Sequence, residues 1–226
     1  MIEVENLIKF YGPKRVLDQV NTRFERGKVY GVVGENGAGK TTLFRCMAGL
    51  EEFTGSIRYS EGVLKNVLGF LPTEPYFFSK ITGGEYLRLI CNARKVPMPD
   101  LNEKNIFDLP LNEYASTYST GMKKKLAFTG VLFQHNQIYI LDEPFNGVDI
   151  QSNMVIVEII QQLKALQKTV LVSSHIFSSL VEICDQIMLI KQGKIIQTAL
   201  PDQFKEMEQA MQVGEIKEKI IKLDLR

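Results

Sequence analysis

Alternating apolar and polar residues run through the first third of the chain, a pattern typical of half-buried β-strands. The pattern predicts strands over residues 2–7, 20–24, 57–59 and 67–71. In the middle of this region the apolar run 29–34 leads into a glycine-rich turn, and residues 41–50 then follow helical spacing. A strand, a loop and a helix are therefore predicted in direct succession.

The hydrophobic spacing changes twice more along the chain. From residue 83 to about residue 133 it is helical, with interruptions by proline, and it predicts an inserted helical lobe. Beyond that lobe, strands at 138–141, 169–173 and 187–191 alternate with helices at 152–167 and 177–184. This alternation predicts an α/β fold with a mostly parallel sheet covered by helices, next to an N-terminal antiparallel β part.

We interpret residues 1–226 as a single domain, because a chain of this length leaves little room for two. The core, which includes the β part, covers 1–72 and 131–200, and the helical lobe covers 73–130. A charged extension over 201–226 is helical in composition, with Gly214 as a predicted break.

A glycine-rich segment after the strand at 29–34 matches the P-loop of phosphate-binding proteins. Its glycines let backbone N–H groups approach phosphates, Lys40 reaches the outer phosphates, and Thr41 ligates Mg²⁺. The predicted nucleotide-binding residues are Gly34, Asn36, Gly37, Ala38, Gly39, Lys40, Thr41 and Thr42. A tight strand-to-helix turn would explain the glycines, but not Lys40 and Thr41 side by side. The P-loop alone leaves kinases, GTPases and motor ATPases open.

Two later predicted strands are also followed by side chains that can bind a metal or take part in catalysis. Asp142 and Glu143 follow the strand at 138–141, and His175 follows the strand at 169–173. Ligands of open α/β sheets lie beyond the carboxyl ends of the strands, so these residues are expected to meet Lys40 at one edge. Asp142 is predicted to hold Mg²⁺ through water, Glu143 to polarise the attacking water, and His175 to meet the γ-phosphate. An acidic turn that caps a buried strand is the alternative for the two carboxylates.

Charge and cysteine content narrow the classes of function. Lys and Arg number 27 against 26 Asp and Glu, so the strong positive field of a nucleic-acid-binding protein is missing, and no nucleic acid is expected as a partner. The three cysteines fit neither a disulfide framework nor a zinc site and are predicted to be reduced and mostly buried. With an acidic N-terminal segment and no apolar run of spanning length, we expect a cytoplasmic chain.

The segment 118–123, Tyr-Ser-Thr-Gly-Met-Lys, precedes a predicted helix and lies about 20 residues before the strand that carries Asp142. With this segment, the motifs occur in an order that resembles an ATP-binding-cassette (ABC) ATPase over residues 1 to about 200. Ser119 can cap the helix, and Gly121 permits close backbone approach to an anion at the helix N-terminus. The resemblance implies that Ser119 and Gly121 bind the γ-phosphate held by the opposite subunit. An ordinary helix N-cap is the alternative.

The resemblance extends to two further segments. It implies that Tyr11 stacks on adenine, that residues 145–149 link the two active sites, and that the nucleotide is ATP with Mg²⁺. A surface aromatic beside the turn at Gly12 is the alternative for Tyr11.

Some positions depart from the family pattern. Thr120 and Met122 replace residues of its Leu-Ser-Gly-Gly-Gln signature, and Thr73 stands where the family has a glutamine that touches Mg²⁺. The consecutive lysines 123–125 are predicted to be mostly solvated, because consecutive residues spread around a helix. The aromatic residues 76–78 are predicted to be exposed and to form a protein contact.

The resemblance implies an ATPase whose two copies, or this chain and a relative, close over two Mg·ATP to drive a separate membrane permease. The chain is then expected to be peripheral on the inner face of the cell membrane, and its short helical lobe looks more like an exporter subunit. A soluble ABC-type switch in DNA repair or translation and a small-molecule kinase are the alternatives. The kinase interpretation leaves Ser119, Gly121 and His175 without a role.

Overall fold

The computed structural model describes residues 1–211, and the elements below belong to that part of the chain. Residues 212–226 lie outside the described residues, and with them the break predicted at Gly214. The strands are β1 (Ile2–Tyr11), β2 (Lys14–Phe24), β3 (Val29–Val33), β4 (Thr54–Tyr59), β5 (Leu68–Leu71), β6 (Ile138–Asp142), β7 (Thr169–Ser174), β8 (Gln186–Lys191) and β9 (Lys194–Ala199). The helices are α1 (Lys40–Met47), α2 (Gly83–Arg94), α3 (Leu101–Lys104), α4 (Thr120–Phe133), α5 (Ile150–Ala165) and α6 (Ser178–Val181).

The strands form two sheets. Three antiparallel strands in the order β2-β1-β4 make the smaller sheet. The larger sheet has the order β5-β6-β7-β3-β8-β9, parallel except for the antiparallel edge strand β9. This arrangement confirms the predicted α/β class with its mostly parallel sheet and its N-terminal antiparallel strands.

Strand order brings the polar strand ends together. β7 lies between β6 and β3, in parallel register with both. The segments that follow β3, β6 and β7 therefore leave the sheet at one edge, side by side. These are the P-loop, the turn at Asp142 and Glu143, and the turn at His175.

Helices α2, α3 and α4 occur between β5 and β6 and have an apolar cluster of their own. Its buried members are Leu87, Leu109, Ala115, Tyr118 and Leu126. A capping box between Thr82 and Glu85 starts α2. At the other end of α2, Arg94 donates hydrogen bonds to backbone carbonyls before and within β5 and to Gln134 after α4. Arg94 thus ties these helices to the larger sheet.

The elements differ from the sequence prediction mainly at their ends. Strand β9 was not predicted, and the helix predicted over 177–184 is reduced to the short α6. Strands β1 and β2 are longer than predicted, because their outer residues pair with each other up to the turn after Tyr11.

Phe128 on α4 is completely buried in the cluster that lies between α4, α5 and the larger sheet. We expect Phe128→Ala to lower the free energy of unfolding by about 3–5 kcal/mol, because it removes a large ring from a packed core. Urea unfolding measures this change. Phe78→Ala removes the same group from an exposed position and is expected to stay within about 0.5 kcal/mol of the parent. Equal losses in the two variants would contradict the placement of Phe128.

Candidate functional site

The P-loop turn between β3 and α1 requires its glycines. A Cβ on Gly34 would lie 2.3 Å from the carbonyl oxygen of Ile190, and Gly37 and Gly39 have φ values of +82° and +114°. Lys40 Nζ folds back to donate hydrogen bonds to the carbonyl oxygens of Gly34 at 2.7 Å and Glu35 at 3.2 Å. The loop therefore wraps around its own buried lysine, at the N-terminus of a helix that can receive an anion.

Asp142, at the end of β6, is fully buried and held by two hydroxyl groups. Thr73 Oγ1 donates to Asp142 Oδ2 at 2.6 Å, and Ser173 Oγ on β7 donates to Asp142 Oδ1. Thr73, the departure noted in the sequence, thus contacts the predicted metal ligand directly. This contact fixes the carboxylate at the edge of the sheet.

Glu143 lies at the centre of a cluster of ionisable side chains that come from the segments following β3, β6 and β7. Its Oε1 is 3.4 Å from Lys40 Nζ, and its Oε2 is 2.8 Å from Nδ1 of His175. The backbone of Glu143 has a φ of +50°, a left-handed conformation that is uncommon for residues other than glycine. Oε1 is buried and accepts no hydrogen bond from the described residues. Lys40, Glu143 and His175 thus meet, as their positions after parallel strands predicted.

A cavity of about 310 Å³ opens beside Glu143 and His175. The loop at 145–147 and the start of α5 form its other wall, with Asn153 and Val157. The sheet edge at Glu143 and His175 is therefore accessible from the side of the loop that follows Glu143.

Two of the predicted residues could hold Mg²⁺. The Thr41 hydroxyl and the Asp142 carboxylate are hard oxygen ligands, which this ion prefers. Across residues 1–211 there is no group of three or more His, Cys, Asp or Glu side chains that could cage a metal by itself. Mg²⁺ in nucleotide sites usually has one or two protein ligands besides phosphates and waters, so this sparse set fits a nucleotide-bound Mg²⁺.

Tyr11, at the end of β1, lies beside the start of α1. Its hydroxyl interacts with the side chains of Glu51 and Thr42, and burial followed by the Glu51 contact raises the pKa of the phenol. Lys9 Nζ lies 4.8 Å from the centre of the Tyr11 ring and forms an ion pair with Glu51 at 3.0 Å. Since Thr42 is on the first turn of α1, the ring stands next to the P-loop, with its side chain partly exposed.

Ser119 is the N-cap residue of α4, and its side chain accepts a hydrogen bond from the N–H of Met122. Gly121 packs closely on the loop after Glu143, since a Cβ there would lie 2.6 Å from the carbonyl oxygen of Gly147. One turn on, Lys125 forms an ion pair with Asp149 at 3.2 Å. The predicted cap is therefore present, while the close approach at Gly121 is to the carbonyl of Gly147 and the anion contact stays a prediction.

The burial of Lys124 contradicts a prediction made from the sequence. The lysines 123–125 were predicted to be mostly solvated, but Lys124 is only 2% exposed and the side chain of Lys125 only 14%. Its Nζ donates a hydrogen bond to the main-chain carbonyl oxygen of Glu143 at 3.0 Å. Burial lowers the pKa of Lys124, and the nearby carboxylates of Asp142, Glu143 and Glu74 oppose that shift. No sequence signal separates Lys124 from its neighbours, because all three are lysines on one helix.

The aromatic segment 76–78 follows β5. Tyr76 and Phe78 are 79% and 60% exposed and contact each other edge to face. Phe77 does not follow the prediction of exposure, because its ring packs against Tyr86 of α2 at 4.8 Å. Two adjacent exposed aromatics therefore remain on the surface next to α2.

No helix within residues 1–211 has the length and apolar character needed to cross a membrane.

Comparison with known proteins identifies the family. The family model described as ABC transporter matches residues 17–146, more than half of the chain. The lantibiotic transport ATP-binding protein SrtF of Streptococcus pyogenes is 33% identical, over 87% of this chain and 89% of SrtF. The SkfA peptide export ATP-binding protein SkfE of Bacillus subtilis is 28% identical, over 91% of this chain and 92% of SkfE.

A solved structure described as the ATP-binding subunit of an ABC transporter superposes with a TM-score of 0.82. It is 25% identical in sequence, and the match covers 99% of both chains. The chain belongs to the ABC transporter family, as one of its ATP-binding and ATP-hydrolysing subunits.

Proposed function

We propose that two of these subunits close head to tail over two Mg·ATP and that hydrolysis reopens them, which drives a separate membrane permease. Each site would join the P-loop of one subunit to Ser119 and Gly121 of the other. The observation that carries the proposal is the convergence of Lys40, Asp142, Glu143 and His175 at one edge of the sheet. These groups are the means of binding phosphates, holding a metal and orienting a water.

Each side chain at the edge has a separate part in this proposal. Lys40 and the P-loop N–H groups hold the outer phosphates, while Thr41 and Asp142 hold Mg²⁺, which neutralises charge on those phosphates when bound. Glu143 accepts a hydrogen bond from the attacking water through Oε1. His175, already in contact with Glu143, reaches toward the γ-phosphate. Catalysis then consists of positioning and charge stabilisation.

The membrane partner is inferred from two observations. Tyr76 and Phe78 form an exposed aromatic patch beside the helices between β5 and β6, which is the kind of surface that marks a protein contact. Relatives named for lantibiotic transport and peptide export favour an exporter. The subunit is then peripheral on the cytoplasmic face of the cell membrane, with the helical lobe 73–130 facing the permease.

Purification of the tagged chain from gently solubilised membranes of its native cell tests the partner. We expect a membrane protein with several spans in stoichiometric amount, and less of it with a variant that carries both Tyr76→Ser and Phe78→Ser. Recovery only in the soluble fraction, together with ribosomes or DNA, would favour a soluble ABC-type switch instead.

The position of Tyr11 beside α1 gives a prediction for nucleotide binding. Stacking on a base is worth about 1–3 kcal/mol, so Tyr11→Ala is expected to weaken ATP binding by about 5- to 150-fold. Tyr11→Phe keeps the ring and is the matched control, with affinity close to that of the parent. Titration calorimetry measures both variants, and equal affinity of Tyr11→Ala and the parent would remove Tyr11 from the nucleotide site.

A further inference from the structure

Lys124 is a buried cation where α4 packs against the turn at Asp142 and Glu143. It is on the second turn of α4, and its Nζ is 3.0 Å from the carbonyl oxygen of Glu143. Burial of a charge is costly unless the charge is paired and hydrogen-bonded, so the bond to Glu143 and the field of nearby carboxylates must offset that cost. A methionine would fill about the same space without the cost of burying a charge.

The backbone of Glu143 is held from both sides. Ser173 Oγ accepts a hydrogen bond from its N–H at 2.9 Å, while Lys124 and the N–H of Asn146 both donate to its carbonyl oxygen. The positive φ of Glu143 is a conformation that persists only when the surroundings enforce it. Lys124 supplies the one charged donor among these contacts.

The direction of the Glu143 side chain depends on that backbone. Its carboxylate lies between Lys40 and His175, and a small rotation of the peptide would displace it from both. A displacement of about 1 Å at a catalytic group can lower the rate by about 100-fold. The contact at the carbonyl oxygen therefore acts on the reaction through geometry, without touching the nucleotide.

We propose that Lys124 is a positioning residue that fixes the left-handed turn at Glu143 and so aims its carboxylate at the attacking water. This inference rests on the proposed role of Glu143 in hydrolysis. With this role of Lys124, α4 would act on two sites, because its N-cap Ser119 is proposed to contact the nucleotide of the opposite subunit.

The test compares Lys124→Met with Lys104→Met in the purified chain, without a membrane partner. Lys104 is exposed on α3, a helix that contributes no residue to the cluster of Lys40, Glu143 and His175. We expect Lys124→Met to lower kcat by about 10- to 100-fold, with ATP affinity within about twofold of the parent. Lys104→Met is expected to have the kcat and the ATP affinity of the parent. Lys124→Arg keeps a charged donor and should retain more of the kcat than Lys124→Met.

A second measurement separates positioning from general damage to the fold. In a Glu143→Gln background, Lys124→Met is expected to change the residual turnover less than twofold, because the group it positions is already removed. An equal loss in both backgrounds, a normal kcat, or equal loss in the Met and Arg variants would overturn the inference. A normal kcat for Lys124→Met would leave the proposed function intact, and failure to recover a permease would leave the role of Lys124 intact.

Discussion

Replacing Glu143 with glutamine is expected to slow ATP turnover by about 100-fold or more and to leave ATP binding intact. The amide keeps the size of the side chain but cannot accept the proton of the attacking water as a carboxylate does. The ion pair with Lys40 is also lost, and this change frees Nζ for the phosphates. Release of phosphate and calorimetric ATP binding measure the two effects separately.

Glu158→Gln is the control for this substitution, since Glu158 is exposed on α5, where it accepts a hydrogen bond from Gln162. It should have the turnover of the parent. Near-normal turnover of Glu143→Gln would remove Glu143 from the role proposed for it.

Lys40→Met has the second large expected effect, on binding and on turnover together. Lys40 is a buried charged donor at the base of the P-loop. A hydrogen bond to a charged group contributes about 1.5–3 kcal/mol, so its loss is expected to weaken ATP binding by about 10- to 100-fold. Turnover at saturating ATP should also fall, by about 100-fold or more, because the charge that stabilises the transferred phosphate is gone.

Calorimetry and a phosphate-release assay measure the two changes, with Lys104→Met as the control. A Lys40→Met chain that binds ATP as tightly as the parent would contradict the assignment of the P-loop.

The parts of the site that the sequence predicts are those set by short local patterns. The P-loop needs glycines where φ is positive or where another backbone comes close, so Gly34, Gly37 and Gly39 are readable without a structure. Asp142 and His175 are readable because each follows an apolar strand, and parallel strands end at one edge. The contacts of Lys40 and His175 with Glu143 then follow from the strand order, in which β7 lies between β6 and β3.

The parts that the sequence does not predict depend on contacts between distant segments. Burial of Lys124 is decided by the turn at Glu143, which lies 19 residues away and packs over α4. Likewise, the hydrogen bond from Thr73 to Asp142 joins residues 69 positions apart, and Phe77 is covered by Tyr86 of α2. Strand β9 was missed because it exposes most of its side chains at the edge of the sheet and has little apolar pattern.

The most direct test of nucleotide-driven pairing is the solution mass of the Glu143→Gln chain, by light scattering after size exclusion, with and without Mg·ATP. We expect 25.7 kDa without nucleotide and twice that mass with Mg·ATP, because slow hydrolysis keeps the closed pair together. A Ser119→Tyr substitution in the same background should prevent the shift by obstructing the contact with the opposite subunit. A mass of 25.7 kDa at saturating Mg·ATP, or the same larger mass without nucleotide, would contradict closure over two ATP molecules.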